Sequence, residues 1–198
     1  MKRLLLTTML ALAFALDNSA ATAQTISDRI YDISRKPDAP VIIGVLGEPI
    51  PLSVDELTKR SDLVLEARVS RRQSYVNAAD TAVITDFDIL PIRILAGNVP
   101  VAIPLVLSTY GGEVIRDGVT IRAENHDSEQ LKDNVVYLIF LTHFGSEPGV
   151  YQIFNAGAFE LSNNTVRPLA RQGSNLYKDF SGAYRGVIAR VMESARAR

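Results

Sequence analysis

The stretch from Thr81 to Tyr110 constrains the fold more than any other part of this sequence. Its first half alternates between apolar and acidic side chains: Val83, Phe87 and Ile89 take one parity, and Asp86 and Asp88 take the other. Side chains in a β-strand point alternately to opposite faces, so the pattern predicts a strand over 83–95 with an apolar face and an acidic face. A Gly-Asn pair at 97–98 predicts a turn, and the apolar run at 104–110 predicts a second strand.

Pro91 interrupts this alternation. Beyond it, the apolar residues Ile92 and Ile94 occupy the parity that was acidic before it. Proline has no N–H to donate to a sheet ladder, so it lies at an edge or at a bulge. A bulge adds one residue and reverses the parity that faces inward. We therefore expect a bulge at Leu90–Pro91, and a strongly bent strand of this kind helps to close a small barrel.

The chain begins with the three parts of an export signal. Two basic residues at 2–3 precede a predominantly apolar run at 4–16, and Ala-Thr-Ala at 21–23 is a small-x-small cleavage motif. The apolar run is short for a membrane span, and an Asp-Asn pair at 17–18 interrupts it. We expect cleavage after Ala23, a periplasmic or secreted mature protein, and no transmembrane segment after signal removal.

Composition excludes several classes of function. The 198 residues suffice for one ordinary domain, and the net charge of −1 gives no basic excess of the kind that nucleic-acid binding needs. The sequence has no cysteine, which excludes disulfides, thiolate metal sites, a cysteine nucleophile and a lipid attached to cysteine at the cleavage site. A cysteine-free exported domain must be stable from its core alone.

The predicted mature chain begins with an extended arm, residues 24–52. Ile26, Ile30 and Ile33 recur at roughly helical spacing, which is compatible with a short helix or a loose tail. Between prolines, the β-branched run at 41–46 predicts an extended segment that pairs as an edge strand.

A short helix and a long strand follow the arm. Ser53 as N-cap with Glu56 three residues later makes a capping box, and Leu57 faces the core. Alternating apolar residues at 63–69 predict the first long strand, which turns at 77–80 into the strand that follows.

The rest of the chain reads as short strands and one helix. Further strands are predicted at 113–115, 119–122, 135–142, 150–154, 158–161 and 165–169. Apolar residues at three- and four-residue steps from Tyr177 to Val191 predict an amphipathic C-terminal helix. Because βαβ alternation is scarce, we expect an antiparallel sheet that closes into a barrel and so removes its edges.

Four stretches resemble a group of exported bacterial proteins with a small OB-like barrel, similar to netrin-type and metalloprotease-inhibitor domains. These stretches are SDLVLEARV (61–69), TDFDILPIRILAG (85–97), LVLSTYGGEV (105–114) and DNVVYLIFL (133–141), in the order that the group shows. The resemblance implies a mainly β fold, a small antiparallel OB-like barrel with a short helix before it and an amphipathic helix after it. The animal inhibitors rely on an N-terminal cysteine, which this chain lacks, so protease inhibition is not carried over. The predicted division is a signal peptide (1–23), an arm (24–52), a barrel domain (53–170) and a C-terminal helix (171–198).

The candidates for metal binding are few. His126 and His143 lie in predicted loops, and Glu124 or Asp127 could add ligands to reach the three or four that zinc needs. Asp86 and Asp88 share one strand face and suit acid–base chemistry or a hard cation. The competing interpretation is a solvated strand face whose carboxylates pair with Arg68 or Arg93, and it is the one that antiparallel sheets favour. We expect no cofactor.

Two further segments are candidates for binding. The loop Tyr110-Gly111-Gly112-Glu113 exposes backbone donors that could cradle an anion or a peptide, or it forms a wide turn at a barrel corner. Arg68, Arg71 and Arg72 form a basic group at the end of a strand, which either contacts an anionic partner or blunts the strand edge.

These observations favour a non-catalytic exported β-barrel that binds a protein or an envelope component. The alternative is a metal- or carboxylate-dependent envelope hydrolase that uses Asp86, Asp88, His126 and Glu113, whose side chains must then converge on one pocket. A third possibility is an assembly role in which the segment 37–51 or the C-terminal helix docks on a partner.

The export signal predicts a processed product. When the full chain is expressed in a Gram-negative host, the protein in the periplasmic extract should begin at Gln24, because signal peptidase cuts after a small-x-small motif. Intact-mass analysis and N-terminal sequencing measure this directly. A periplasmic product that retains residues 1–23, or a product found only in the cytoplasm, would contradict the prediction.

Overall fold

In a computed structural model of the chain, the described residues are 25–26, 41–45, 52–99, 104–125, 128–170 and 182–198, with side chains described for all of them except 41–45 and 125. The strands are β1 (Val41–Val45), β2 (Leu63–Val76), β3 (Val83–Ala96), β4 (Leu105–Tyr110), β5 (Gly112–Arg116), β6 (Val119–Asn125), β7 (Val136–His143), β8 (Val150–Ser162), β9 (Thr165–Pro168) and β10 (Gly182–Ala183). The helices are α1 (Val54–Arg60) and α2 (Tyr184–Arg196). The fold is mainly β, as predicted. The predicted signal peptide, residues 1–23, lies outside the described residues.

Five strands close into a barrel. In the larger sheet β8, β4, β3, β2 and β7 are neighbours in that order, and a further pairing of β7 with β8 completes the ring. In chain order the first strand pairs with the second and the fourth, and the third pairs with the fifth. This arrangement is that of an OB-like barrel, which confirms the predicted fold class.

One pair of the barrel is parallel, whereas the prediction was antiparallel throughout. Val106 pairs with Val150 and Leu107 with Tyr151, so β4 and β8 run in the same direction. Parallel neighbours need a long crossover between them. Here the crossover carries β5, β6 and β7, which explains how a chain of hairpins still yields one parallel contact.

The capping box at the start of α1 is confirmed. The Ser53 side chain accepts from the backbone N–H of Glu56 at 3.2 Å, and the Glu56 carboxylate accepts from the backbone N–H of Ser53 at 2.9 Å. Each contact satisfies a donor that a helix start leaves unpaired. Leu57 is fully buried, as predicted.

Strands β2 and β3 pair over nearly their whole lengths, and three irregularities bend the pair. The ladder steps from Pro91 to Arg93 and leaves Ile92 as the extra residue, next to the predicted bulge at Leu90–Pro91. A second extra residue, Arg72, lies on β2. Bulges raise the local twist of a strand pair, which lets a long hairpin curve into a barrel.

Beyond Pro91 the parity reverses as predicted, since Ile94 pairs with Leu65 of the inner cluster, but the apolar residues on either side of Pro91 are not buried. Leu90, Ile92 and Ile94 are 64%, 55% and 48% exposed. The ladder between β3 and β4 ends at the pair of Ile89 with Leu105. The far half of β3 therefore extends past the end of β4, which pairs with its near half. The bulge by itself does not bury the side chains of this far half.

Apolar residues form separate clusters on the two sides of the barrel wall. On β2, Leu63, Leu65, Ala67 and Val69 belong to the inner cluster, with Phe87, Leu107, Tyr137, Ile139 and Tyr151 among their neighbours. Val64 points the other way and joins the outer cluster under the helices, with Leu57, Leu138, Phe140, Phe159, Ile188 and Val191. Both faces of this part of the wall are therefore covered.

Helix α2 packs against the outside of the barrel and against α1. The apolar residues Ile188 and Val191 are buried there, as the helical spacing predicts, while the predicted helix residues 177–181 lie outside the described residues. Polar contacts orient the helix: Tyr184 donates to Glu66 at 2.7 Å, and Ser194 donates to Asp55. Burying Val and Ile side chains contributes roughly 1.5–3 kcal/mol each, so the apolar contacts dominate this docking.

A small second sheet lies beside the barrel. β1 pairs in parallel with β6, and β6 pairs with β5 in the predicted Asp-Gly hairpin, where Asp117 and Gly118 have φ of 52° and 77°. The predicted edge strand of the arm is thereby confirmed, since β1 lies at one edge of this sheet. Ile26, Ile121 and Ala123 form the core beneath it.

The two strands predicted at 150–154 and 158–161 form one bent strand, β8. Asn155 and Ala156 have positive φ, and the ladder steps from Ile153 to Ala158 on β8 while its partner on β7 moves only from Leu141 to Ile139. Gly157 sits at this bend, where a Cβ would lie 2.8 Å from the Cβ of Phe140. The break in the sequence pattern was therefore a bulge within a strand.

Gly112 should tolerate a side chain far less well than Gly118. Gly112 has φ of +124°, and a Cβ there would overlap the Thr85 hydroxyl, whereas Gly118 has φ of +77° and open space around it. Gly118→Ala should cost about 1–2 kcal/mol, the penalty of left-handed backbone alone. Gly112→Ala should cost at least about 2 kcal/mol more in the free energy of unfolding, since overpacking adds to backbone strain. Denaturant titration of both variants measures the difference, and equal losses would refute the contact.

Candidate functional site

The predicted loop at Tyr110–Glu113 is a corner between the barrel and the small sheet. The Gly111 N–H donates to the carbonyl of Val83 at 2.9 Å, and the Gly111 carbonyl accepts from Thr85 Oγ1 at 2.6 Å. Ser74 and Thr85 share a further hydroxyl contact of 2.8 Å beneath Gly112. The Gly111 donor is thus used within the fold, and the geometry fits the corner interpretation better than the anion cradle.

Glu113 lies at the surface of the small sheet. Its carboxylate accepts from Arg122 Nε at 3.1 Å and from Arg122 Nη2 at 2.8 Å, across the β5–β6 ladder. Glu113 raises the pKa of the Arg122 guanidinium, first through these hydrogen bonds. Exposed pairs of this kind contribute roughly 0–1 kcal/mol, so we interpret the pair as part of the sheet surface.

Asp86 lies on the outer face of the barrel, and its hydrogen bonds in the described part of the chain go to neighbouring strands. Ser108, directly opposite on β4, donates to Oδ1 at 2.6 Å, and the Tyr75 hydroxyl on β2 lies 3.5 Å from the same oxygen. Burial raises the pKa of Tyr75, and the negative charges of Asp86 and Glu147 raise it further. The carboxylate, the hydroxyl and the phenol therefore form one connected group, which no linear motif announced.

Tyr110 extends this group. Its ring is 47% exposed and meets the ring of Phe144 edge-on, with centroids 6.5 Å apart and planes at 77°. Phe144 belongs to the loop 144–149 between β7 and β8. An aromatic ring packed edge-on against a second ring is fixed in place while its other face stays available.

The contacts of His143 and Glu113 in the described residues are with side chains outside this group. His143 stacks on Tyr151 at the barrel end, with centroids 4.8 Å apart, and His126 lies outside the described residues. Glu113 lies on the small sheet and accepts a hydrogen bond from Arg122, which is not part of the group around Asp86.

The predicted metal candidates that lie in the described residues do not gather. Within the described ranges, no three histidine, aspartate or glutamate side chains form a group able to hold a metal ion. Asp88 is exposed, lies two residues after Asp86 on β3, and pairs with Val106 on β4. At His143 the backbone N–H donates to Asp62 at 2.9 Å, and this bond is the main reason that the pKa of Asp62 is lowered.

The three predicted arginines point in different directions. Arg68 donates to the carbonyl of Asn134 at 3.2 Å, and Arg71 lies over the ring of Phe87 with 6.0 Å to its centroid. Arg72 is the extra residue of a bulge. All three are exposed, but the ladder puts Arg68 and Arg71 on opposite faces of β2. Arg93, which was considered as a partner of Asp86 or Asp88, lies with Nη1 3.8 Å from Oε1 of Glu66 instead.

Sequence reasoning missed the surface that stands out most in the structure. Leu90, Ile92 and Ile94 are exposed along one half-strand, with Arg68 paired opposite Leu90 and Arg93 between the isoleucines. We call these five residues the apolar–arginine face, a name that covers both sides of the half-strand, because Leu90 pairs with Arg68 and Ile94 with Leu65. Its signal in the sequence was the parity change beyond Pro91, which we interpreted as burial.

No protein-family model and no curated protein matches the chain. Neither helix in the described residues is long and apolar enough to cross a bilayer. The function must therefore be argued from the surfaces themselves.

Removing the charge of Asp86 should lower the pKa of Tyr75. The carboxylate disfavours the phenolate, so Asp86→Asn should bring this pKa part of the way to its ordinary value, while burial keeps it raised. Asp88→Asn is the matched control, because Asp88 is not among the groups that shift Tyr75. NMR titration of ¹³Cζ-labelled tyrosine measures both, and an identical Tyr75 pKa in the wild type and Asp86→Asn would disprove the coupling.

Proposed function

We propose that this chain is an exported, non-catalytic β-barrel module that binds a protein or an envelope component through the apolar–arginine face. Export rests on the predicted signal at residues 1–23. We further propose that the chain belongs with the exported barrels similar to netrin-type domains, which the OB-like strand order supports.

The exposure of Leu90, Ile92 and Ile94 carries this proposal. Leaving large aliphatic side chains in water forgoes about 25 cal/mol for each Å² of apolar surface that burial would remove. Contiguous exposed apolar residues with a polar rim are typical of interaction sites. Here the residues come from one half-strand, in which Leu90 pairs with Arg68 and Ile94 with Leu65 on the opposite side, and Ile92 lies at the bulge between them.

Arg68 and Arg93 define the chemistry of the partner. Arg68 pairs opposite Leu90, and Arg93, whose side chain is 45% exposed, lies between the two isoleucines in the strand. Arginine at the edge of an apolar contact favours a partner that presents carboxylates or phosphates around an apolar centre. Such charges steer association and weaken as salt increases.

A carbohydrate- or peptide-cleaving activity has less support. Asp86 is bonded to Ser108 and Tyr75 on the barrel face, while Glu113 is paired with Arg122 on the other sheet. The hydrolase alternative needs these carboxylates in one pocket.

Ile92→Glu should weaken binding while Ile115→Glu leaves it intact. Both are exposed isoleucines in strands, and Ile115, which is 76% exposed on β5, lies outside the face. The bound fraction of each variant is measured by co-sedimentation with separated membranes, peptidoglycan and extracts of periplasmic protein. We expect a loss of roughly tenfold or more for Ile92→Glu, comparable to one lost hot-spot contact, and increasing salt should weaken the wild type.

Thermal melting of both variants serves as the folding control, because substitutions at exposed sites change stability little. Binding of Ile92→Glu at the wild-type level to every fraction, or equal losses in both variants, would refute the proposal.

A further inference from the structure

Helix α2 and the residues after it carry an excess of positive charge. Residues 184–198 contain four arginines and one glutamate, whereas the whole chain has a net charge of −1. Two of these arginines are used within the fold: Arg190 donates to Asp55 at 3.3 Å, and Arg198 donates to backbone carbonyls at the end of α1. The other two, Arg185 and Arg196, are exposed and make no hydrogen bond or ion pair with the described residues.

Arg185 and Arg196 lie on one line along α2. They are eleven residues apart, close to three full turns, so their side chains leave the helix in nearly the same direction about 16 Å apart along its axis. Met192 follows Arg185 by seven residues, close to two turns, and shares this line. Since Met192 is partly buried against the barrel and both arginines are exposed, the line runs along the border between the packed face of the helix and solvent.

Arg93 on β3 joins this line at Met192. Its Nη2 donates to the Met192 sulfur at 3.0 Å, and its side chain is 45% exposed. A thioether is a weak acceptor, so the guanidinium keeps most of its donors for an anion. The Glu66 carboxylate, whose Oε1 lies 3.8 Å from Nη1 of Arg93, is buried and accepts its hydrogen bond from Tyr184.

The next row on the same side of the barrel wall adds Arg68 and Leu90. Glu66 pairs with Arg93 and Arg68 pairs with Leu90, and residues two apart on a strand share a face about 7 Å from each other. Arg68 donates one hydrogen bond to the Asn134 carbonyl and remains exposed, and Leu90 is 64% exposed. We call the resulting surface the arginine strip, which consists of Arg68, Leu90, Arg93, Arg185 and Arg196.

The strip suits a partner that is anionic over a wide area and apolar beneath. Arginines spread over about 16 Å along a helix do not surround one small anion, but each can bind a separate phosphate. An aliphatic side chain among them can enter the apolar layer below a charged surface. We propose that the arginine strip docks the barrel on the surface of a bilayer that contains anionic phospholipid. This inference rests on the proposed function, because it names the envelope component that the exposed half-strand binds.

Co-sedimentation of the purified chain with protein-free vesicles tests this docking. Vesicles of phosphatidylglycerol and phosphatidylethanolamine should bind the chain, and vesicles of phosphatidylcholine alone should bind it at least about tenfold less, because they have no net charge. Increasing salt should weaken the binding to the anionic vesicles, since salt screens exposed charges.

A pair of double variants shows which arginines are responsible. Arg185→Gln combined with Arg196→Gln should weaken binding to anionic vesicles by roughly 25-fold, about fivefold for each arginine at an anionic surface. Arg72→Gln combined with Arg122→Gln gives the same net charge from exposed sites outside the strip, and should change binding by less than about twofold because distant charges are screened. Thermal melting of both variants is the folding control.

The absence of tryptophan from the chain permits a measurement of which surface meets the bilayer. Leu90→Trp and Ile115→Trp each place a single indole at an exposed position, the first in the strip and the second on β5. Anionic vesicles should shift the emission of the Leu90→Trp variant to shorter wavelength, because indole partitions to the boundary between headgroups and acyl chains. The emission of the Ile115→Trp variant should stay unchanged.

Several results would overturn the docking proposal. These are equal binding to anionic and neutral vesicles, equal losses in the two double variants, and an emission shift in Ile115→Trp without one in Leu90→Trp. A chain that binds periplasmic protein but no vesicle would also overturn it, would assign the arginines to an acidic protein, and would leave the proposed function standing. Failure to bind any membrane, peptidoglycan or protein fraction would refute both proposals.

Discussion

The pairing of β2 with β3 over nearly their whole lengths is the constraint on which the rest of the structure depends. A flat hairpin of this length would expose two edges, and the extra residues Arg72 and Ile92 bend it instead. The bend brings β7 alongside β2 and lets β8 complete the ring with β4. Closure then places the odd-numbered apolar residues of β2 in a shared interior.

Closing the barrel does not bury every apolar side chain, because part of its outer wall is apolar as well. Val64, Leu138 and Phe140 face away from the interior, and the two helices cover them. The buried Glu66 carboxylate among them accepts a hydrogen bond from Tyr184, so the polar group that this arrangement buries is satisfied. The C-terminal helix is thus part of the core of the protein, and a role for it as a free docking arm has little support.

Where the helices no longer cover it, the barrel wall is exposed. The near half of β3 lies between β2 and β4 and carries the tyrosines and Asp86, while its far half extends past β4 and exposes Leu90, Ile92 and Ile94. One strand therefore contributes to two surfaces of different chemistry. The first presents phenols and a carboxylate, and the second presents exposed aliphatic side chains.

The sequence by itself determined the strands, the capping box of α1, the C-terminal helix and the barrel class, because these depend on local periodicity and on hydrogen bonds three residues apart. It also placed a bulge beside Pro91, since proline cannot donate to a ladder. Only the tertiary structure decided which side chains meet. Burial at Ile92 and Ile94 depends on how far β4 runs beside β3, and the contact of Asp86 with Ser108 and Tyr75 depends on the register of three strands. Register is set by bulges and closure over the whole barrel, which no single stretch of the chain encodes.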